Sequence, residues 1–359
     1  MNLGLIGREK AGKTTIFNAL TGKSADVSEY TAAKLEPNRA VVEVLDKRVD
    51  VLTEQYQPKK TIYATIHVTD FVGLSKGSAE HSLFSVAALG LIKTVDSLAL
   101  VLRNFSNPVI DEVYGPADPV KELDTLLGEL VLTDQIVVER RLEKINEDLK
   151  RGKKDAHSAQ EEKALQRLLE VLSEGGKVRD IDLNAEEEKT LAGFQFLTAK
   201  PIFAILNSGE ENYGKNEALE KTISAVCPVI EFAGTFEMEL AGLKEDEAAE
   251  FMSDLGITES ARSRLTTFAH DILGYISFFT VGKDEVRAWT IRRGENAVDA
   301  AGTIHSDLAR GFIRAECFTY DDFAALGSEK AVKEKGLFRL EGKDYIVKDG
   351  DILNIRFSV

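Results

Sequence analysis

A chain of 359 residues is longer than one hydrophobic core usually organises, so two or three domains are expected. Its 45 basic and 60 acidic residues leave a formal charge of -15, which argues against a surface built throughout for nucleic acid, so no DNA partner is expected. No apolar run is long enough to cross a bilayer, no leader pattern precedes the first one, and Cys227 and Cys317 lack metal-ligand spacing; no membrane partner, a cytoplasmic setting and two buried thiols are expected.

In chain order, the first element is an apolar run through Leu3, Leu5 and Ile6, read as a strand. Gly7, Gly12, Lys13 and Thr14 then satisfy G-x-x-x-x-G-K-[ST], and Thr15, Ile16, Phe17, Ala19 and Leu20 continue as an amphipathic helix. Strand, glycine loop and helix form a phosphate cradle: glycines let main-chain N–H groups turn inward, and the helix adds its unpaired amides and positive dipole end. Lys13 is expected on the β and γ phosphates, and the Thr14 hydroxyl on Mg²⁺.

The next strand, within TIYATIHVTDFVGL, ends at Asp70, and Gly73 completes D-x-x-G. Asp70 is the expected second metal contact and Gly73 the contact to the γ phosphate. Leu74 follows where many GTPases carry a glutamine that orients water, which an aliphatic side chain cannot do. Beyond the strand SLALVLRNF comes a charged, helical insertion. Val138, Leu142, Ile145 and Leu149, then Leu165, Leu168 and Leu172, recur at helical spacing on either side of RGKKDAHS. Two antiparallel helices in a coiled-coil arm are predicted, ended by Gly175 and Gly176; Lys150, Arg151, Lys153 and Lys154 at the tip either meet phosphate or stay solvated.

A further buried strand, PIFAILN, runs into Asn207, Ser208, Gly209 and Glu210. The usual guanine reader is N-K-x-D. Here N-x-x-E lacks the lysine and carries a longer carboxylate, which opens the site to adenine while leaving GTP as an alternative ligand. From residue 276 onward, strands, glycine turns and a short helix read as a β-grasp unit, made locally basic by Arg287, Arg292, Arg293, Arg310 and Arg314. These arginines either contact RNA or pair with neighbouring acids.

With the blocks LEPNRAVVEVLDKRVDVL, DFVGLSKG, VIEFAGTFEMEL, EVRAWTIRRGENAVDAAGTIHSDLARGFIRAE and LFRLEGKDYIVKDGDILNIRF, the chain resembles, end to end, the YchF family of Obg-related P-loop ATPases. The resemblance implies an α/β GTPase-like P-loop domain in two parts, 1–120 and 200–275, an inserted helical arm at 121–199, and a C-terminal TGS domain, ubiquitin-like, at 276–359. It implies a slow, Mg²⁺-dependent ATPase associated with ribosomes, with contact to the ribosome or its RNA through the arm tip and TGS domain. It also implies nucleotide contacts by Gly7, Lys10, Ala11, Gly12, Lys13, Thr14, Thr15, Asn207, Ser208, Glu210, Ala233, Gly234 and Thr235, and metal contacts by Thr14 and Asp70. Lys13 and Gly73 would carry the catalytic contacts.

Departures from the family cluster at the same place. Members have G-F-P-N-V-G-K-S, whereas Arg8, Glu9, Lys10 and Ala11 stand between Gly7 and Gly12 here, so Lys10 falls on the family asparagine. In related enzymes that asparagine helps to hold potassium; an ammonium at this position implies hydrolysis that does not need it. Lys34 replaces a family threonine that completes the Mg²⁺ shell, with Thr31 nearby, and a family glycine run after Lys76 becomes SAEHSLFSVAALG, closer to a helix and carrying His81. A nucleotide-sensing module without turnover is therefore the alternative to a slow hydrolase.

Overall fold

The computed structural model describes residues 1–22, 37–71, 84–152, 156–243, 247–248, 252 and 259–358. Gly73, Leu74, Thr31, Lys34, Lys76, His81, Lys153 and Lys154 lie outside these, as does most of LKEDEAAEFMSDLGI. The strands are β1 Asn2–Ile6, β2 Asn38–Val44, β3 Lys60–Ile62, β4 Ala64–Asp70, β5 Ser97–Asn104, β6 Ile202–Ser208, β7 Val229–Phe232, β8 Tyr275–Thr280, β9 Glu285–Arg292, β10 Phe312–Thr319, β11 Arg339–Glu341 and β12 Asp351–Phe357. Among the described residues they make two six-stranded sheets, β2-β4-β1-β5-β6-β7 and β11-β10-β12-β8-β9-β3. The chain divides into two compact units, Met1–Ala40 with His67–Ala261 and Val41–Ile66 with Arg262–Val359.

In the first unit, β4, β1, β5, β6 and β7 pair in parallel, with Leu5 opposite Asp70, Ile6 opposite Leu100, Asn104 opposite Ser208 and Asn207 opposite Phe232. Every residue of β6 is buried, and so are Ser97 to Arg103 of β5. That is why both read as unbroken apolar runs instead of alternating ones. Ile6, Leu100, Leu102 and Leu206 share one core with Leu123, Leu126 and Leu130. Parallel strands need crossovers, so the loops that leave their carboxyl ends gather along one edge of the sheet, where α/β proteins hold ligands.

The inserted arm pairs helix Pro119–Lys150 with helix Ala156–Ser173. Asp118 caps the first from its side chain to the Lys121 amide, with proline in the first turn, where a missing N–H costs nothing. Val138, Ile145, Leu165, Leu168 and Leu172 are buried against one another, with Leu142 and Leu149 packed alongside. Arg141 bridges the two helices through a bidentate pair with Glu161 at 2.7 and 2.6 Å. Buried Asp134 accepts from the amides of Leu197 and Thr198 and from the Thr198 hydroxyl, fixing where the chain returns to the sheet. At the arm's end Lys150 and Arg151 are exposed.

In the second unit, antiparallel β8–β9 leads to helix Ala297–Ile304, and β12 returns parallel to β8 between β8 and β10. This is a β-grasp arrangement. Ala297, Ala300 and Ala301 bring the helix close to Ile276, Phe278, Ile291, Ala315 and Leu353. Val41–Ile66, placed by sequence with the N-terminal domain, belongs to this unit: β3 adds a parallel edge strand with Lys60 opposite Glu285, and helix Lys47–Tyr56 brings Arg48 to Asp46 and Asp349 at 2.8 and 2.7 Å and over the Phe279 ring. Arg287 lies over Trp289 near Glu285, and Arg310 pairs with Asp307. The side chains of two of the five arginines thus pair with acids. Cys227 and Cys317 are free and buried, and burial raises both thiols to about 11, so they are inert packing groups.

His270, on helix Ala261–Ile272, is buried beside Tyr275 and Ser277 and feels Asp349, Asp271, Arg48 and Asp46. Burial holds its imidazole below the ordinary value, and the carboxylates only partly oppose this. The unfolded chain therefore takes up the proton first, near pH ~6.5, and the stability that neutral His270 contributes is present above that pH. Stability should fall as pH drops from there through the folded value. Denaturant melts from pH 7.5 to 5 check this: the parent loses midpoint on acidification, and His270→Gln shows a flatter profile. Equal slopes would contradict the assignment.

Candidate nucleotide-binding site

The phosphate loop follows β1, and Lys13–Thr21 is helical from its first residue after the loop. Gly12 caps that helix with φ 90° and no side-chain hydrogen bond, so the first-turn amides are left without a side-chain cap. Lys10 also has φ 60°, which turns the loop back on itself. A Cβ at Gly12 would strike the Asn207 amide as well as straining the backbone. Buried Lys13 donates from Nζ to the carbonyls of Gly7 and Arg8 at 2.9 and 2.8 Å. Burial lowers its pKa, against the pull of Asp70, Glu9 and Glu122. An anion beside it would stabilise the ammonium.

Asp70 closes β4 and is fully buried. Its Oδ2 accepts from the Thr14 hydroxyl at 2.8 Å and from Asn38 Nδ2 at 3.2 Å, while Oδ1 has no hydrogen-bond partner among the described residues. Burial raises this carboxyl, opposed by Thr14, Lys13 and Asn38. A buried carboxylate oxygen without a donor, next to a threonine hydroxyl, is a hard oxygen pair suited to a small divalent cation. Among the described residues no group of three or more His, Cys, Asp or Glu is arranged to hold a metal.

Asn207, at the end of β6, ties the site together. Its Nδ2 donates to the Ala11 carbonyl at 2.9 Å and its Oδ1 accepts from the Gly234 amide at 3.1 Å. The side chain is buried and both ends of its amide bond to protein, so it works as a clamp between the phosphate loop and the Ala233–Thr235 turn. A Cβ on Gly234 would lie 2.6 Å from Asn207 Oδ1, so only glycine permits that approach. Beyond the clamp is a cavity of about 300 Å³ bounded by Phe105, Ser208, Glu210, Ala233, Thr235 and Phe236, among others. Ser208 accepts from Asn104 at 2.9 Å and donates to Glu231 at 2.5 Å.

Gly7, Asp70, Phe105, Asn207 and Ala233 all lie at or just beyond the carboxyl ends of parallel strands. Sequence reading named four of these and missed Phe105, whose signal was its place directly after a buried strand, where α/β sheets gather ligand residues. It also missed Asn38, since nothing in LEPN announces a side chain directed at Asp70. Glu9 accepts from the Tyr114 hydroxyl at 2.8 Å. Glu122, at the foot of the arm, accepts from the Arg103 amide and lies in the electrostatic reach of Arg8 and Lys13.

A six-stranded, mainly parallel sheet with this loop, carboxylate and clamp defines a P-loop nucleotide-binding protein of the GTPase-like class. A family profile described as 50S ribosome-binding GTPase matches residues 2–141, and the YchF-GTPase C-terminal profile, described as a protein of unknown function, matches 275–358. The chain is 38% identical over 363 residues to the protein named ribosome-binding ATPase YchF of Pasteurella multocida (strain Pm70), covering 99% of each. Its identity to the protein of the same name in Bacillus subtilis (strain 168) is 36% over 368 residues, covering 100% of each. The solved structure of the Schizosaccharomyces pombe YchF GTPase superposes with a TM-score of 0.84 at 30% identity, covering 99% of this chain and 97% of that one. The chain belongs to the YchF family.

Proposed function

We infer that the protein binds ATP with Mg²⁺, hydrolyses it slowly to ADP and phosphate, and associates with the ribosome according to its nucleotide state. The observation that carries this reading is the Asn207 clamp, which makes the phosphate loop and the base cavity parts of one site. The names of the relatives, ribosome-binding ATPase, support the substrate and the partner.

In this reading the triphosphate lies against the amides of Gly7 to Thr15, and Lys13 exchanges its two carbonyl partners for phosphate oxygens. Thr14 and Asp70 hold Mg²⁺, which neutralises charge on the phosphates when bound. Gly73, outside the described residues, would supply its amide to the γ phosphate. Water attacks the γ phosphorus in line with the leaving oxygen, and positioning with fixed positive charge supplies most of the acceleration. Leu74 offers that water no hydrogen bond, in keeping with slow turnover. Ala233, Gly234 and Thr235 enclose the base with Ser208 and Glu210, whose carboxylate suits the exocyclic amine of adenine, and the Phe105 ring offers a surface for stacking. The arm tip and the TGS-like sheet are the ribosomal or RNA contacts.

Competition of ATP and GTP for one labelled nucleotide tests the ligand. ATP should win; a tenfold preference for GTP, about 1.4 kcal/mol, would reverse the assignment. Single-turnover hydrolysis with excess protein then tests the chemistry: phosphate release should exceed the buffer rate, and a rate equal to buffer leaves a nucleotide-sensing module.

A further inference from the structure

Asp70 is not held symmetrically. Both of its donors, the Thr14 hydroxyl and the Asn38 amide, reach the same oxygen, Oδ2, and Oδ1 has none among the described residues although the residue is fully buried. A carboxylate has about four lone-pair sites over its two oxygens, and leaving one buried oxygen unpaired costs stability. The fold accepts that cost where a ligand is to fill the gap. Of the two donors, Thr14 also belongs to the phosphate loop and turns its oxygen toward the cation in the proposed function. Asn38 has no such second task. It opens β2, the strand next to β4 in the sheet, so its position relative to Asp70 is set by strand pairing and not by the phosphate loop.

We propose that Asn38 is the positioning residue of the metal site: its Nδ2 holds Asp70 Oδ2 so that Oδ1 is the oxygen left for a divalent cation bound with the nucleotide. This rests on the proposed nucleotide–Mg²⁺ reading. A partner that orients a ligating carboxylate typically governs metal affinity by ~10- to 100-fold without touching the metal. Alanine removes the donor. Aspartate keeps the shape but turns the donor into a like charge facing Asp70, and so should do more harm.

The test is titration of a fluorescent adenosine triphosphate analogue into the parent, N38A and N38D proteins, in graded Mg²⁺ and in EDTA. The parent should bind more tightly with Mg²⁺. N38A should need ~10-fold or more Mg²⁺ for half-maximal tightening, and N38D more again, while both keep the parent's affinity in EDTA. Retention of the parent's Mg²⁺ response by both variants overturns the assignment, as does an equal loss of affinity in both buffers, the mark of a merely structural residue. A parent that binds equally well with and without Mg²⁺ overturns this inference together with the Mg²⁺ part of the proposed function and leaves nucleotide binding standing; a parent that binds in neither buffer overturns the proposed function whole.

Discussion

Replacing Asn207 with alanine should weaken both the fold and the nucleotide complex, because one side chain satisfies two buried main-chain groups in different segments. The Ala11 carbonyl loses its donor and the Gly234 amide its acceptor. An unpaired buried polar group costs about 1–3 kcal/mol, so a loss of ~2–5 kcal/mol in stability is expected, seen as a lower denaturant midpoint. ATP affinity should fall by ~100-fold or more, since the loop and the base cavity no longer share a fixed geometry and a small misplacement at such a site is expensive. Asn207→Asp is the sharper control. It can still accept from Gly234 but turns a carboxylate oxygen toward the Ala11 carbonyl, so it should be as damaging as alanine. Parent-like behaviour from the aspartate variant would mean that only the Gly234 bond matters and that no clamp exists.

Lys13→Met should separate what Asn207→Ala joins. The ammonium is buried, its charged form is disfavoured by desolvation, and it donates to the carbonyls of Gly7 and Arg8. Removing it frees the fold from a buried charge while unpairing the carbonyls of Gly7 and Arg8, two effects of opposite sign that should leave stability within ~1 kcal/mol of the parent. Nucleotide affinity should nevertheless fall by roughly 10- to 150-fold, the worth of a hydrogen bond between charged groups at about 1.5–3 kcal/mol. Thermal melts with and without ATP check both halves: parent-like melting alone, and loss of the nucleotide-induced rise. A variant that retained the full rise would remove Lys13 from the phosphate contacts.

What could be read from the sequence follows from how local each signal is. The phosphate loop was legible because its chemistry lies in eight consecutive residues between a strand and a helix, and both flanking elements stand where periodicity put them. Asp70 was legible for a related reason, since a β-rich run ended on it and β4 does the same. The arm's stripe was visible in the spacing of Val138, Ile145, Leu165 and Leu168, because a helix pair writes its contacts into each helix separately. Asn38 and Phe105 were not legible. Their roles depend on which strand lies beside which, and no window of sequence carries that. The contacts of Val41–Ile66 with the C-terminal strands were hidden in the same way: a three-residue strand pairing with Glu285–Arg287 has no local mark, and Arg48 meets Asp349 across 301 positions.

The glycines show the same division. Gly12 was read as a turn residue, which its φ of 90° explains, but the close approach of the Asn207 amide is tertiary and unreadable beforehand. Asn207 was read as part of the ligand contacts, and in the structure its amide joins two loops. In the proposed function Ser208, standing where lysine is usual, puts no long apolar stem over the base from this strand, and Phe105 would offer an aromatic surface from the adjacent one.

The central claim is that the loop from Gly7 to Thr14 holds the triphosphate of a magnesium–nucleotide complex. Calorimetric titration of the purified protein with ATP and Mg²⁺ tests it most directly: a saturable heat with one site per chain, lost on Lys13→Met, is the expected result. Absence of any binding heat at millimolar ATP, from protein that melts cooperatively, would contradict it.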